Sequence, residues 1–202
     1  MRMPADTSAK TPVFTNKHSM KRIHSLIVAT ALGLVCFHTF AQKVQSQSQG
    51  LCASNEEPVF SCKLQGSNSK TASLCTSPAS AQGERSFRYR FGRPSKIELE
   101  YPAAGHGGDA FSRTLLHFAG STGGYAFSFT NENYKYILYW IAGTGFERSG
   151  LLVQREGQIR ADRDLHCKPS ASMATKNHDL WEATSNWRVD ADLDAHNLPS
   201  TD

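Results

Sequence analysis

The residues with the most chemical potential in this chain are its cysteines and histidines. Five cysteines are present: Cys36, Cys52, Cys62, Cys75 and Cys167. Zinc sites usually show close pairs such as C-x₂₋₄-C. The last four cysteines are separated by nine, twelve and 91 residues, so their spacing argues for disulfides rather than metal. A cysteine nucleophile needs a free thiolate beside a base, and paired cysteines offer none. His106, His117, His166, His178 and His196 form no H-E-x-x-H or other close ligand pair. His106 and Asp109 share the loop His106-Gly107-Gly108-Asp109. They are the one combination from which a hydrolytic site in a cleft could be assembled. No serine elbow is present, because Gly120-Ser121-Thr122-Gly123 does not match G-x-S-x-G. Asp162-Arg163-Asp164 lacks the twelve-residue calcium loop and reads as a strand end. These patterns imply no catalytic residue, no metal and no organic cofactor.

Compartment follows from the N-terminal segment. Met20-Lys21-Arg22 precedes an apolar run whose core is Leu26 to Phe37, and Thr39-Phe40-Ala41 puts small residues at the −3 and −1 positions of a cut before Gln42. That order is a secretory signal, about 20–41, preceded by an extension. The apolar run is too short for a membrane span, which takes about 20 residues. Removing residues 1–41 removes Cys36 and leaves four cysteines, an even number suited to two disulfides in an oxidising compartment. It also removes five of the 22 basic residues and one of the 18 acidic ones, leaving 17 of each. The remaining chain is neutral, which argues against nucleic acid as a partner. The expected location is periplasmic or secreted, with no membrane span after cleavage.

Residues 42–50 (QKVQSQSQG) are too polar to build a core and read as a flexible leader. Residues 51–168 carry short runs of β-formers between Gly, Pro, Asn and Ser clusters. The runs are 58–64, 71–75, 87–91, 96–101, 114–119, 125–130, 134–141, 149–154 and 158–161. Phe87, Tyr89 and Phe91 alternate with Arg88 and Arg90, and Ile97, Leu99 and Tyr101 alternate with Lys96, Glu98 and Glu100. The arginines are thereby placed to pair with the glutamates. The expected fold is mainly β: a small antiparallel sandwich or barrel of about eight to nine strands, stapled by disulfides. A hairpin about Gly66-Ser67-Asn68-Ser69 would set Cys62 opposite Cys75, within reach of a bridge. Cys52–Cys167 would then clip the domain ends together. Residues 169–202 hold two basic and six acidic residues and few large apolar ones, and read as an acidic, largely disordered tail.

Tyr134, Tyr136, Leu138 and Trp140 fall on one face of their strand, and Lys135, Ile137, Tyr139 and Ile141 on the other. One face must be core. The other could present a binding patch, with Tyr139 in it.

Three segments carry a resemblance: FSCKLQGSNSKTASLC (60–75), YRFGRPSKIELEYP (89–102) and Ser149-Gly150-Leu151-Leu152-Val153. Over roughly residues 58–167 the chain resembles a group of uncharacterised exported proteins of Gram-negative bacteria. That resemblance implies compartment and domain limits but no activity. The chain is also faintly similar to periplasmic lysozyme inhibitors, whose inhibitory loop carries Ser-Gly-x-x-Tyr. Ser149-Gly150 matches the first two positions, and Val153 stands where the tyrosine would be. The similarity implies a Ser149-Gly150 loop that contacts a partner. The expected function is therefore a non-enzymatic binding or interaction module whose partner is an envelope or secreted protein. Ser149, Gly150 and Tyr139 are its candidate contacts. The two alternatives are a lysozyme-inhibitor-like protein and an envelope hydrolase using His106 and Asp109.

Overall fold

The computed structural model describes residues 50–106, 108–175 and 177–201, with side chains throughout except at 104–106 and 170–174. The expected signal and nearly all of the leader lie outside the described residues. The chain forms nine antiparallel strands in one curled sheet, a half-barrel, as the alternating runs predict. The strands are β1 (Glu57–Leu64), β2 (Thr71–Thr76), β3 (Phe87–Arg93), β4 (Lys96–His106), β5 (Ser112–His117), β6 (Gly123–Asn131), β7 (Tyr134–Gly143), β8 (Phe146–Arg155) and β9 (Arg163–Ala174). Two short helices follow, α1 (His178–Ala183) and α2 (Ala191–His196). The strand order is β4-β3-β2-β1-β9-β8-β7-β6-β5. Each strand thus lies beside its neighbour in sequence, except where first meets last at β1–β9 and where β4 and β5 form the two open edges.

The ninth strand differs from the expected 158–161. That stretch belongs to a turn, and β9 begins at Arg163. It uses its two halves differently. Arg163 to His166 pair with β8, from Gly150↔His166 to Val153↔Arg163. Cys167 onward pairs with β1, from Leu64↔Cys167 to Phe60↔Ala174.

The disulfides also differ from the expected pairing: Cys52 joins Cys75, and Cys62 joins Cys167. Ladder register is the reason. The hairpin sets Cys62 opposite Ala72, while Cys75 lies opposite Pro58. Cys62 instead bonds Cys167, the ladder partner of Leu64 two residues along β1, across a register shift that sets Cys62 itself opposite Ser172.

The inner face of the sheet packs aromatic residues from both halves. Tyr89 sits 4.8 Å from Phe129, Tyr101 stacks on Phe129 at 4.5 Å, and Phe129 stacks on Tyr136 at 5.0 Å. On the solvent side of β3, Arg88 and Arg90 pair with Glu100, as the alternation suggested, while Glu98 pairs with Lys70. Arg90 also grips Glu56 with two nitrogens. Burial acts to raise the Glu56 pKa, but the Arg90 bonds, the Ala53 amide and the nearby arginine charge outweigh it and hold the carboxyl low.

Residues 169–201 are not the solvated extension their polarity suggests. Three of their sparse large residues land on the sheet: Leu180, Trp187 and Leu193 are buried, while Val189 is 57% exposed. Trp187 stacks on Phe111 at 5.4 Å and meets Phe87 edge-on at 4.7 Å, so it fills the opening between the two edge strands. Gly108 is required beneath it, because a Cβ there would come within 1.8 Å of the indole. Leu193 packs with Ile137, Tyr139 and Ile141 on the outer face of β7. Asp190 caps α2, accepts from the Ser128 hydroxyl at 2.7 Å and pairs with Lys135 at 3.1 Å. The tail's acidity is thus partly neutralised by the sheet. Both faces of β7 are core over most of its length.

Trp187→Ala is expected to destabilise the protein by about 3–5 kcal/mol, the usual cost of truncating a buried aromatic. Denaturant unfolding at unchanged m-value measures it. A loss below about 1 kcal/mol would mean that the C-terminal segment is not part of the cooperative unit.

Candidate functional site

On the outer face of β7, Ile137, Tyr139 and Ile141 form one buried cluster with Leu193 of α2, and Tyr139 is fully buried. Ladder pairing sets Tyr139 opposite Gly150, and Gly150 opposite His166. A Cβ at Gly150 would stand 2.6 Å from the Tyr139 hydroxyl oxygen. Glycine inside a strand often marks such a close approach. Here it lets the phenol ring lie across β8 and reach β9, two strands away.

The hydroxyl donates to Asp164 Oδ1 at 2.9 Å and lies 3.2 Å from His166 Nδ1. A hydroxyl has one proton, and the carboxylate is the stronger acceptor. His166 Nδ1 must then carry the proton that it donates to the phenol oxygen. The three groups grade from core to solvent: Tyr139 is fully buried, the Asp164 side chain is 19% exposed and that of His166 is 41% exposed.

The electrostatics decide what this cluster can do. Burial pushes the Tyr139 phenol well above its ordinary range, and the charge and hydrogen bond of Asp164 push it further. A phenol held so firmly protonated is not a base or nucleophile near neutral pH. It is a fixed donor that orients Asp164 and His166.

A solvent-open groove of about 1190 Å³ runs beside this cluster, between the β8–β9 turn and the start of β9. Arg155, Arg160 and Arg163 line it together with Asp164 and His166. Ile159 stands on its rim, 90% exposed. Arg155 approaches Asp162 at 3.9 Å, with both side chains largely in water.

Of the three residues expected to make contacts, Tyr139 and Gly150 belong to this cluster and Ser149 does not. Ser149 pairs with Trp140 on the inner face and is buried. Ser149 and Gly150 lie within β8, not in a loop, so the inserting loop of the inhibitor-like reading is corrected to a strand interior. Asp109 is exposed on a short 3-10 turn, Gly108–Ala110. It lines a different groove, with Trp187 and Arg188. The His106 side chain, its expected partner, lies outside the described residues. Cys52, Cys75 and Glu56 bring three possible ligand atoms within 4.8 Å of one another. Both sulfurs are engaged in a disulfide and the carboxylate is engaged by Arg90.

Asp164 and His166 are the members that sequence reasoning missed. Their i, i+2 spacing puts them on one face of a strand. That face could be recognised only by starting β9 at Arg163. A glycine within the apolar run of β8 was the other available signal.

Fold and site together define a disulfide-stapled, nine-stranded antiparallel half-barrel with a polar cluster on its outer face. No protein-family model matches the chain, and comparison with curated proteins and with solved structures gives no significant match. Among the described residues no helix is long and apolar enough to cross a membrane.

Burial raises the pKa of Tyr89, Tyr125, Tyr136 and Tyr139. The folded protein therefore keeps phenolic protons that the unfolded chain releases above about pH 10. Stability is fully present below that pH and falls as pH rises beyond it. Tyr139→Phe should make the fall in unfolding free energy between about pH 9.5 and 11.5 shallower, because one such proton is gone. An unchanged slope would show that Tyr139 is not the protonated donor described.

Proposed function

We propose that this chain is an exported, non-enzymatic binding module that meets a protein partner through the outer groove beside β9. One observation carries the reading. Tyr139 holds Asp164 and His166 in a fixed relation at the wall of an open groove, while its own raised pKa removes it from acid–base work. A built polar cluster with no activated nucleophile suits recognition better than turnover. The rim supports a macromolecular partner: Ile159 offers an exposed apolar contact beside three arginines, and arginine is favoured at protein interfaces.

Export is supported by the charged, apolar, small-residue order ending at Ala41, and by two disulfides, which persist in oxidising compartments. The compartment is periplasmic or secreted, and the partner is an envelope or secreted protein.

A photo-crosslinking residue placed at Ile159, in cells producing the protein, tests this. One discrete protein adduct is expected there, lost when His166→Ala is combined with it. The same residue at Leu115, exposed on the edge strand β5, should give none of that adduct. Equal adducts at both positions, or none at Ile159, would sink the reading.

A further inference from the structure

We propose that the first half of β9 is a docking edge for an extended peptide strand whose sequence is apolar–x–acidic, with x uncharged. The proposal names the partner chemistry of the groove described above and rests on that reading.

The edge arises because β9 changes partners along its length. Its ladder with β1 reaches Leu64↔Cys167 and stops, since the chain turns back there through the Leu64 N–H bond to Lys70 C=O, 2.9 Å. Arg163 to Leu165 therefore have β8 as their one ladder partner among the described residues. The last bond on the β1 side runs from Gln65 N–H to His166 C=O at 2.9 Å. Backbone groups alternate sides along a strand, so Asp164 turns its N–H and C=O toward the same side as His166. That is the side beyond the end of β1, where no strand of the sheet lies among the described residues; the C-terminal segment bridges the chain just before it, at Ala161↔Thr201, and Thr201 lines the same groove.

Unpaired strand edges invite another strand, and native proteins usually blunt them. Here the blunting is a bulge. Asp162 N–H bonds to Val153 C=O at 2.8 Å, although Arg163 is the ladder partner of Val153. Two residues opposite one end the regular edge at Arg163. The open stretch is short, which limits it to one brief, specific strand rather than indefinite stacking.

Side chains specify the guest. An added antiparallel strand places each residue beside one residue of β9, and such cross-strand pairs set preference. Leu165 is half-buried against the core and favours an apolar neighbour. Arg163, exposed, favours a carboxylate. Asp164 lies between them on the opposite face and disfavours one. Reading antiparallel to β9, the guest is apolar opposite Leu165, neutral opposite Asp164 and acidic opposite Arg163. Arg155 and Arg160 add positive charge to the same groove, and Ile159 adds apolar surface at its rim.

The test uses the oxidised, isotope-labelled protein and the heptapeptide acetyl-Ser-Thr-Val-Thr-Glu-Thr-Ser-amide. Saturable amide shifts are expected at Asp164 and His166, with slower hydrogen exchange of the Asp164 amide, at peptide concentrations up to about 2 mM. N-methylation of the central Thr removes the backbone bond to Asp164 and should weaken binding about fivefold or more. Replacing the peptide's Glu by Lys should weaken it by a similar factor. Binding that survives N-methylation unchanged would overturn strand addition. So would an absence of shifts, or an Asp164 amide already protected without peptide, which would mean that a second copy or another part of this chain covers the edge. If the peptide fails while the Ile159 crosslink persists, this inference falls and the binding-module reading stands. If the peptide binds as stated while Ile159 captures nothing, strand addition stands and the proposed envelope partner falls.

Discussion

The meeting of β1 with β9 is the constraint on which the rest of the structure depends. Strands β1 to β4 form one meander and β5 to β9 another, each joined by short sequential connections. Neither meander buries its inner face alone. The β1–β9 ladder makes them a single curled sheet, and the Cys62–Cys167 bond lies within it, closing a separation of 105 residues. In the chain-entropy model a loop of that length is worth roughly 4–5 kcal/mol, because the unfolded chain loses the freedom to hold those residues apart. Both sulfurs sit in the apolar core, so the bond also packs. The second disulfide acts more locally. It ties the segment before β1 to β2, where Glu56 and Leu51 can both meet Arg90.

Curling the sheet creates a problem at its two edges, which the C-terminal segment solves. The aromatic residues that line the interior would face solvent between β4 and β5. Trp187 closes that opening by touching Phe87, Phe111 and Phe127. Backbone then secures it: Arg113 N–H bonds to Arg188 C=O at 3.0 Å beside the Ser112↔Arg188 bridge. Arg113 in turn lies over the Trp181 ring at 3.6 Å and donates to Trp181 C=O and Thr184 Oγ1. Desolvation acts to lower the Arg113 pKa, yet a guanidinium remains charged throughout the working range. The cation is therefore a fixed anchor for α1. Sparse apolar content in a C-terminal segment does not make it a tail when Leu180, Trp187 and Leu193 are each buried in the core.

Most of the strand framework was legible because it rests on local signals. Clean alternation in β3 and β4, and the long apolar run of β7, with turn residues between them, depend on local sequence and little else. The features that were not legible depend on register. Strand β9 reads RDLHCKPSASMA, with one proline and almost no large apolar residues. Nothing intrinsic marks it as a strand, and its ladders with β8 and β1 impose the conformation. The disulfide pairing failed for the same reason: counting from the turn places Cys62 opposite Cys75, whereas Cys62 lies opposite Ala72, three residues away, and Cys75 opposite Pro58. Tyr139 and Gly150 were singled out from sequence, but Asp164 and His166 could join them only once β9 had been placed. A site built across three strands is invisible to reasoning that places strands one at a time.

The polar cluster also has a structural role that follows from its position. Along Arg163 to Leu165, β9 has a ladder on one side among the described residues, which weakens its grip on the sheet. Tyr139 compensates by bonding Asp164 and His166 directly from β7, over the glycine of the strand between. A buried hydroxyl left without a partner costs about 1–3 kcal/mol. The buried hydroxyls of Tyr89 and Tyr125 have no partner among the described residues, whereas Tyr139 avoids that cost through Asp164 and His166. Burial of the tyrosine and attachment of the half-free strand are thus one interaction seen from two sides. Loss of the phenolic hydroxyl removes the restraint from β9, and enlargement of Gly150 removes the path by which it is applied. The strand half that has a ladder on one side among the described residues is pinned by side chains as well, which keeps the strand itself in place.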